Sequence, residues 1–484
     1  MTHIKGSVCP DEPEQRRRRK QRISTIVDRV RPGPRGGLGS QLVGQSAQTT
    51  VLNISAVVLS FATTLVLTRL LGGRGYGIYV YALAWPLVLA VAAQLGYGPL
   101  LVRNLPGYTA RGEWGLARGI VSHSLRVMLG ASAVLMVAAG ALGWRFVGIG
   151  QPRLRQSLFI ALLLIPGYAL VAQREAVLRG YRHVAMGRFT ETVLQPVLLL
   201  AFTGTIYVFL GERLSPPHLV AATVVAVACG VLLGTVLVRR VTPAAVAAAS
   251  PETDRKSWSR SARSLIAVSG LQVVNLQMSV LLLGAIESVD EAGVLSIALR
   301  WSSMVSFLQT AVVFPLAPAL ALLFATGSKA KIQRLVSKAS RGVWLLSVPV
   351  ALTLLLFSEQ AMAIFGEEFR TGQMALNILV IGEVINIASG FVGIILINLG
   401  QERTLFIAVT CVTVGKIALT AALTGILGLE GAALGQAIGL GAQNLVLAAI
   451  IWRSAGIYSP AIGSRWFLRS APLAQVEEPP TRVT

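Results

Sequence analysis

The chain has 484 residues, of which 54% are apolar and only 13% charged, with a mean hydropathy of +0.67. Soluble domains carry about 25% charged residues, so composition excludes a water-soluble globular protein and directs the reading to a bilayer. The 43 Lys and Arg against 21 Asp and Glu leave a net charge of +22; in a membrane protein that excess collects in cytoplasmic loops, and no nucleic-acid partner follows from it. Cys9, Cys229 and Cys411 lie far apart, which indicates neither a disulfide framework nor a zinc site.

Residues 1–41 are polar and rich in Arg, Pro and Gly, with the run Arg16 to Lys20, and predict a disordered basic cytoplasmic tail. From there apolar stretches alternate with short polar breaks, at the ~20 residues per helix that a ~30 Å bilayer core imposes. Twelve spans are expected: 42–71, 76–101, 119–141, 156–178, 187–210, 216–238, 264–286, 292–322, 342–365, 373–398, 404–427 and 431–452. The organisation is a six-helix lobe over 42–238, a basic cytoplasmic linker over 239–263, a second lobe over 264–452 and a polar tail over 453–484. With the N-terminus inside, tails and even-numbered loops hold 31 Lys and Arg, the odd-numbered loops 6 and the spans 6. That distribution places both termini in the cytoplasm, in a multi-pass cytoplasmic-membrane protein.

The halves repeat loosely. Gly77-Ile-Tyr-Val-Tyr-Ala82 returns as Gly293-Val-Leu-Ser-Ile-Ala298, and Gly180 faces Gly400, at similar offsets. Six is even, so the two copies share one orientation, related by an axis along the membrane normal with a central cavity between lobes. The expected fold class is an all-α polytopic membrane protein of about twelve helices.

Leu67-Thr-Arg-Leu-Leu-Gly72 followed by Gly75-Tyr-Gly-Ile-Tyr79, then Leu95-Gly-Tyr-Gly98 and Leu101-Val-Arg103, resemble the first helices of Wzx-like polysaccharide exporters. These belong to the multidrug/oligosaccharidyl-lipid/polysaccharide superfamily. In the second half Gly293 to Arg300, Phe314-Pro-Leu-Ala-Pro318 and the basic stretch Lys331 to Arg341 resemble its seventh-to-ninth-helix region. The resemblance spans about 42–452. It implies a flippase that moves a polyprenyl-diphosphate-linked oligosaccharide to the outer leaflet by alternating access, for cell-surface or exopolysaccharide synthesis. It implies no catalytic residue and no cofactor; its partners are the lipid-linked oligosaccharide, membrane lipids and other synthesis proteins of the membrane. The family often places an acidic residue late in the seventh helix, where this chain has the amides Asn275 and Gln277.

Each polar group within a span is costly and therefore a candidate. Arg300 lies roughly 12 Å inside the eighth span, and a guanidinium offers a forked partner to a diphosphate. Asn53, Asn275, Gln277 and Gln309 are candidate sugar contacts, or else interhelical hydrogen bonds. Arg69, near the outer end of the first span, is the remaining candidate substrate contact. Glu191 is expected to pair with Arg188, three residues before it, near the cytoplasmic edge. Glu383 and Lys416, roughly 15 and 18 Å deep in adjacent spans, suggest an ion pair that is structural or couples transport to protons.

Two other functions stand beside the flippase. A drug or cation antiporter of the same superfamily would favour carboxylates in the cavity helices, and spans one, two, seven and eight have none. A glycan polymerase or ligase needs a large outer loop, whereas the outer loops here have about 3 to 14 residues. Gly73, Gly75 and Gly77 follow no strand and spell no phosphate-binding loop, and no metal-ligand cluster is present.

Overall fold

Two glycines decide where one continuous helix becomes two crossings. The computed structural model describes residues 38–146, 151–325, 329–399, 401–458 and 460. Helix α1 (Leu38–Gln94) breaks at Gly72, which takes φ 67° and ψ 177°. Only a residue without a Cβ adopts that region readily. The arms on either side of Gly72 line the same cavity, so the chain reverses there. The last long helix repeats the device at Gly428, with φ 56° and ψ −128°.

Between them run α2 (Tyr97–Arg111), α3 (Trp114–Phe146), α4 (Pro152–Ala161), α5 (Leu164–Gly180), α6 (Val184–Phe189), a π-helical turn (Thr190–Leu194), α7 (Gln195–Leu210), α8 (Pro216–Val241) and the short α9 (Ala244–Ala248). The second half holds α10 (Arg255–Ile286), α11 (Val289–Ala325), α12 (Lys329–Leu356), α13 (Ser358–Ala363), α14 (Gln373–Ala388), α15 (Val392–Asn398) and α16 (Glu402–Ala455). Among the described residues 8 helical stretches are long and apolar enough to cross a bilayer. Two of these, 54–94 and 403–455, are the ones broken by Gly72 and Gly428 and supply two crossings each. With the long helices α10 and α11, twelve crossings result. The protein is an all-α polytopic membrane protein in two lobes. Helices α2, α3 and α8 pack on α5 in the first half; α16 packs on α14 and α10, and α11 on α12 and α14, in the second.

Three boundaries differ from expectation. The second crossing ends at Gln94, because Leu95 (φ 48°) and Gly96 (φ 75°) turn left-handed and start the separate helix α2. Helix α2 buries Tyr97, Leu100, Leu101 and Leu105 and exposes Arg111, the two-faced pattern of a helix lying on a surface rather than spanning. The ninth crossing is displaced toward the N-terminus: α12 starts at Lys329 and ends at Leu356, not 342–365. Its first turns carry Lys331, Arg334, Lys338 and Arg341, whose polarity hides a helix from hydropathy although their side chains cost nothing outside the bilayer. The tenth crossing is broken between α14 and α15 at Gly390 (φ 80°). Most of the two tails, with Cys9 and the run Arg16 to Lys20, lies outside the described residues.

The stretch joining the lobes is tied to the first half. Arg118 Nη1 donates to the carbonyls of Ala247 and Ala249 (2.8 and 2.7 Å), and the Glu252 amide donates to the Gly115 carbonyl (3.0 Å). Asp254 caps α10 by accepting from the Ser257 amide (3.2 Å). One turn later Trp258, 1% exposed, packs with Tyr97, Leu105, Ala117 and Ile120 of the first half. Its indole Nε1 donates to the Tyr108 hydroxyl (2.9 Å).

Candidate functional site

A cavity of about 560 Å³ is walled by α1, α5, the π turn, α7 and α8 from the first half and by α10 and α11 from the second. That volume falls within the range of sites that enclose small organic groups. Its wall alternates apolar side chains with hydroxyl and amide groups: Ser60, Thr63 and Thr64 on α1, Tyr79 on α1 beyond the break, Tyr168 on α5, Thr223 on α8, Gln277 on α10 and Ser303 on α11. Tyr79 and Thr223 join their hydroxyls across the wall at 3.0 Å. Two charged residues line it, Arg300 from α11 and Glu191 from the π turn.

Arg300 is half-buried. Its Nη1 donates to the Ser60 carbonyl (2.7 Å) and to the Ser60 hydroxyl. That carbonyl also accepts from the Thr64 hydroxyl (2.9 Å), so it keeps a partner when the arginine leaves. A guanidinium has five N–H donors, and among the described residues Nε and Nη2 of Arg300 donate to no protein atom. The next residue, Trp301, fixes the α11 backbone: its Nε1 donates to the Ala361 carbonyl (3.0 Å) and its ring packs against Phe61 and Phe365.

The lobes meet tightly at the end that the charge distribution expects outside. A Cβ on Gly77 would collide with the Val289 carbonyl of α11, and one on Gly293 would lie 2.8 Å from the Gly77 Cα. Tyr76 and Phe369 pack edge to face at 6.1 Å. Arg69 belongs to this closure and not to the cavity wall: its Nη2 donates to the Ile364 carbonyl (2.7 Å).

Of the other sequence candidates, Gln277 lines the cavity. Gln309 donates to the Gly390 carbonyl (2.9 Å), which the break between α14 and α15 leaves free of a regular helical partner. Asn275 joins α10 to α16, donating to Gln443 Oε1 (3.0 Å) and Thr413 Oγ1 (3.3 Å). The Asn53 side chain lies outside the described residues.

Lys416, 5% exposed, gives its ammonium to the Asn275 carbonyl (2.9 Å) and side-chain Oδ1 (2.6 Å). Glu383 accepts from Asn386 Nδ2 (2.9 Å), and Asn386 Oδ1 in turn accepts from Asn444 (2.7 Å). Glu383 and Lys416 form no ion pair among the described residues. Each is held by an amide instead, whose hydrogen bonds meet part of the need of a charge taken out of water.

Glu191 sits differently from its expected place beside Arg188, and the two form no ion pair among the described residues. The i,i+3 neighbourhood that would pair them belongs to a regular α-helix, and the π turn at Thr190–Leu194 widens it. On α5, Glu175 pairs with Arg179, one turn on, at 3.5 Å. Glu191 is exposed and lines the cavity. Gln195, one turn on, lines the same wall. The polar residues Thr190, Glu191, Thr192 and Gln195 within one apolar stretch, followed by Pro196, are the sequence signal that marks this wall.

No family model matches the chain, and no curated protein matches it in sequence. Solved structures do match in fold. A multidrug resistance MATE family transporter of the MOP superfamily, in an inward-facing conformation, superposes with a TM-score of 0.67 at 14% identity, over 84% of this chain and 100% of its own. The MATE multidrug transporter DinF-BH, in complex with R6G, gives 0.61 at 17% identity over 86% and 96%. A MOP superfamily transporter from Pyrococcus furiosus, described as having a binding pocket of reverse polarity that suggests a different function, gives 0.60 at 15% identity over 84% and 93%. The fold is therefore that of the MATE transporters of this superfamily.

Proposed function

We propose that this protein is an alternating-access flippase for an anionic, lipid-linked oligosaccharide of the polyprenyl-diphosphate type, moved from the cytoplasmic to the outer leaflet. The observation that carries the reading is Arg300, a cation with uncommitted donors inside a cavity otherwise lined by hydroxyl, amide and apolar groups. A diphosphate entering a low-dielectric space needs a positive partner there, and the guanidinium can exchange the neutral Ser60 for it. Hydroxyl and amide side chains with Tyr rings suit a carbohydrate, and the lipid tail remains in the bilayer. Closure at the outer end, with the cavity beneath it, is one of the two states such transport alternates between.

A drug or cation antiporter is the second reading, favoured by the MATE fold and by the Glu191 carboxyl in the wall. Arg300 lines the same cavity and, among the described residues, has no carboxylate partner, which favours an anionic substrate.

Deletion of the gene, followed by leaflet-resolved analysis of lipid-linked glycans, tests the proposal. Accumulation of the intermediates on the cytoplasmic leaflet, restored by the wild-type gene and not by an Arg300→Ala copy, is the expected result. Normal outer-leaflet glycan together with increased sensitivity to cationic drugs would replace the flippase with the antiporter.

A further inference from the structure

At and beside the π turn, polar side chains are left without a hydrogen-bond partner among the described residues. Among the described residues Gln195 Nε2, buried beside Gly230 of α8, has no hydrogen-bond partner, and the hydroxyl of Thr190, 4% exposed, has none either. Unmet donors inside an apolar bundle are costly. Thr190 opens the π turn, a rare geometry that recurs at functional sites, and Gln195 directly follows it. The turn also places the Glu191 carboxyl against the cavity, one helical turn before Gln195, with the Tyr168 ring on the same wall. A carboxyl acceptor and an amide one turn apart can each engage one of two neighbouring hydroxyls. A half-turn of the Gln195 terminal bond brings its NH₂ to the cavity side, which gives the orphan donor a ligand partner.

Resting on the flippase reading, we infer that Glu191 and Gln195 form a sugar-reading subsite: they bind vicinal hydroxyls of the substrate's glycan in the cavity that Arg300 also lines and where it holds the phosphate. The cavity then reads two chemistries on two lobes. Phosphate is recognised from α11 and sugar from the π turn, so a substrate with both bridges the lobes while a lipid with phosphate alone engages only one.

The test measures binding of two probes to the full-length protein in nanodiscs: a polyprenyl diphosphate, and the same lipid carrying one hexose. The expected result is that the wild type binds the hexose-bearing lipid about tenfold more tightly, the worth of one or two well-made hydrogen bonds. Glu191→Gln and Gln195→Ala should each cut that preference, and the double variant should bind both lipids equally, with affinity for the bare lipid unchanged as the control for folding. Arg300→Ala should weaken both probes alike. A hexose preference that survives the double variant, or its absence from the wild type, overturns the subsite and leaves the flippase standing. Failure of the wild type to bind either lipid overturns the flippase reading itself.

Discussion

Gly77 and Gly293 occupy the same position in the two halves of the sequence repeat, and in the structure they touch each other. A methyl group on Gly293 would lie 2.8 Å from the Gly77 Cα, and one on Gly77 would strike the Val289 carbonyl. The repeat thus meets itself where the second crossing passes the start of α11, at the sealed end of the cavity. Two backbones come this close only without side chains between them.

The first prediction follows from that contact. Gly77→Val inserts carbon where there is none to spare, and overpacking of this kind costs about 1–3 kcal/mol. The cost falls only on the state in which the lobes touch at this end, so the equilibrium should move toward the state open at this end by about five- to a hundredfold. Spin-label distances between α1 near Gly73 and α13 report it directly: lengthened distances with normal membrane insertion are expected, and an unchanged distance distribution would show that the glycine contact does not hold the end closed.

Arg300→Ala should abolish transport while barely altering stability. The Ser60 carbonyl keeps the Thr64 hydroxyl at 2.9 Å, so no buried acceptor is orphaned, and the change in unfolding free energy should stay within about 1 kcal/mol. Arg300→Lys retains charge but loses the fork, and intermediate activity is expected. Transport assays in cells, set beside thermal unfolding of the purified variants, separate the two effects.

Trp258 is the anchor of the inter-lobe connection. Trp258→Ala removes a fully buried indole and should cost about 3–5 kcal/mol, whereas Trp258→Phe loses mainly the bond to the Tyr108 hydroxyl (2.9 Å), about 1 kcal/mol. Thermal unfolding in detergent gives the ranking, and limited proteolysis between Val241 and Asp254 should accelerate in the alanine variant. Equal stability of all three proteins would mean that the connection is not clamped to the first half.

For Lys416 the prediction concerns which partner matters. A double-mutant cycle between Lys416→Met and Asn275→Ala should return a coupling of about 1–3 kcal/mol, as expected for a buried charge bonded to an amide. The cycle between Lys416→Met and Glu383→Gln should return less than about 0.5 kcal/mol. If Glu383 carries coupling protons, Glu383→Gln will insert normally yet lose its dependence on the proton gradient; retained dependence assigns Glu383 to the amide network with Asn386 and Asn444.

Membrane class, all-α architecture and the alternation of spans were legible in the sequence because each follows from local composition. Bilayer thickness sets helix length, and the cost of charge in hydrocarbon keeps Lys and Arg at the breaks. Arg300 could be singled out for the same reason, since a lone cation eleven residues into α11 has no local excuse. The glycine repeat at Gly77 and Gly293 was visible too, although not that its two copies touch.

What the tertiary structure decided is which polar groups face the cavity and which face a neighbour. Asn275, Gln277 and Gln309 are alike in a one-dimensional reading, yet Asn275 spends its amide on Lys416 and Gln443, Gln309 on the Gly390 carbonyl, and Gln277 looks into the cavity. The expected pairing of Glu191 with Arg188 failed because one π turn alters the register on which i,i+3 reasoning depends, and it turned a presumed rim residue into a wall of the site. Hydropathy measures the cost of placing a group in the bilayer, whereas the partner that offsets this cost comes from a helix distant in sequence. Composition therefore determined that these charges and amides need partners, and only packing determined which partners they have.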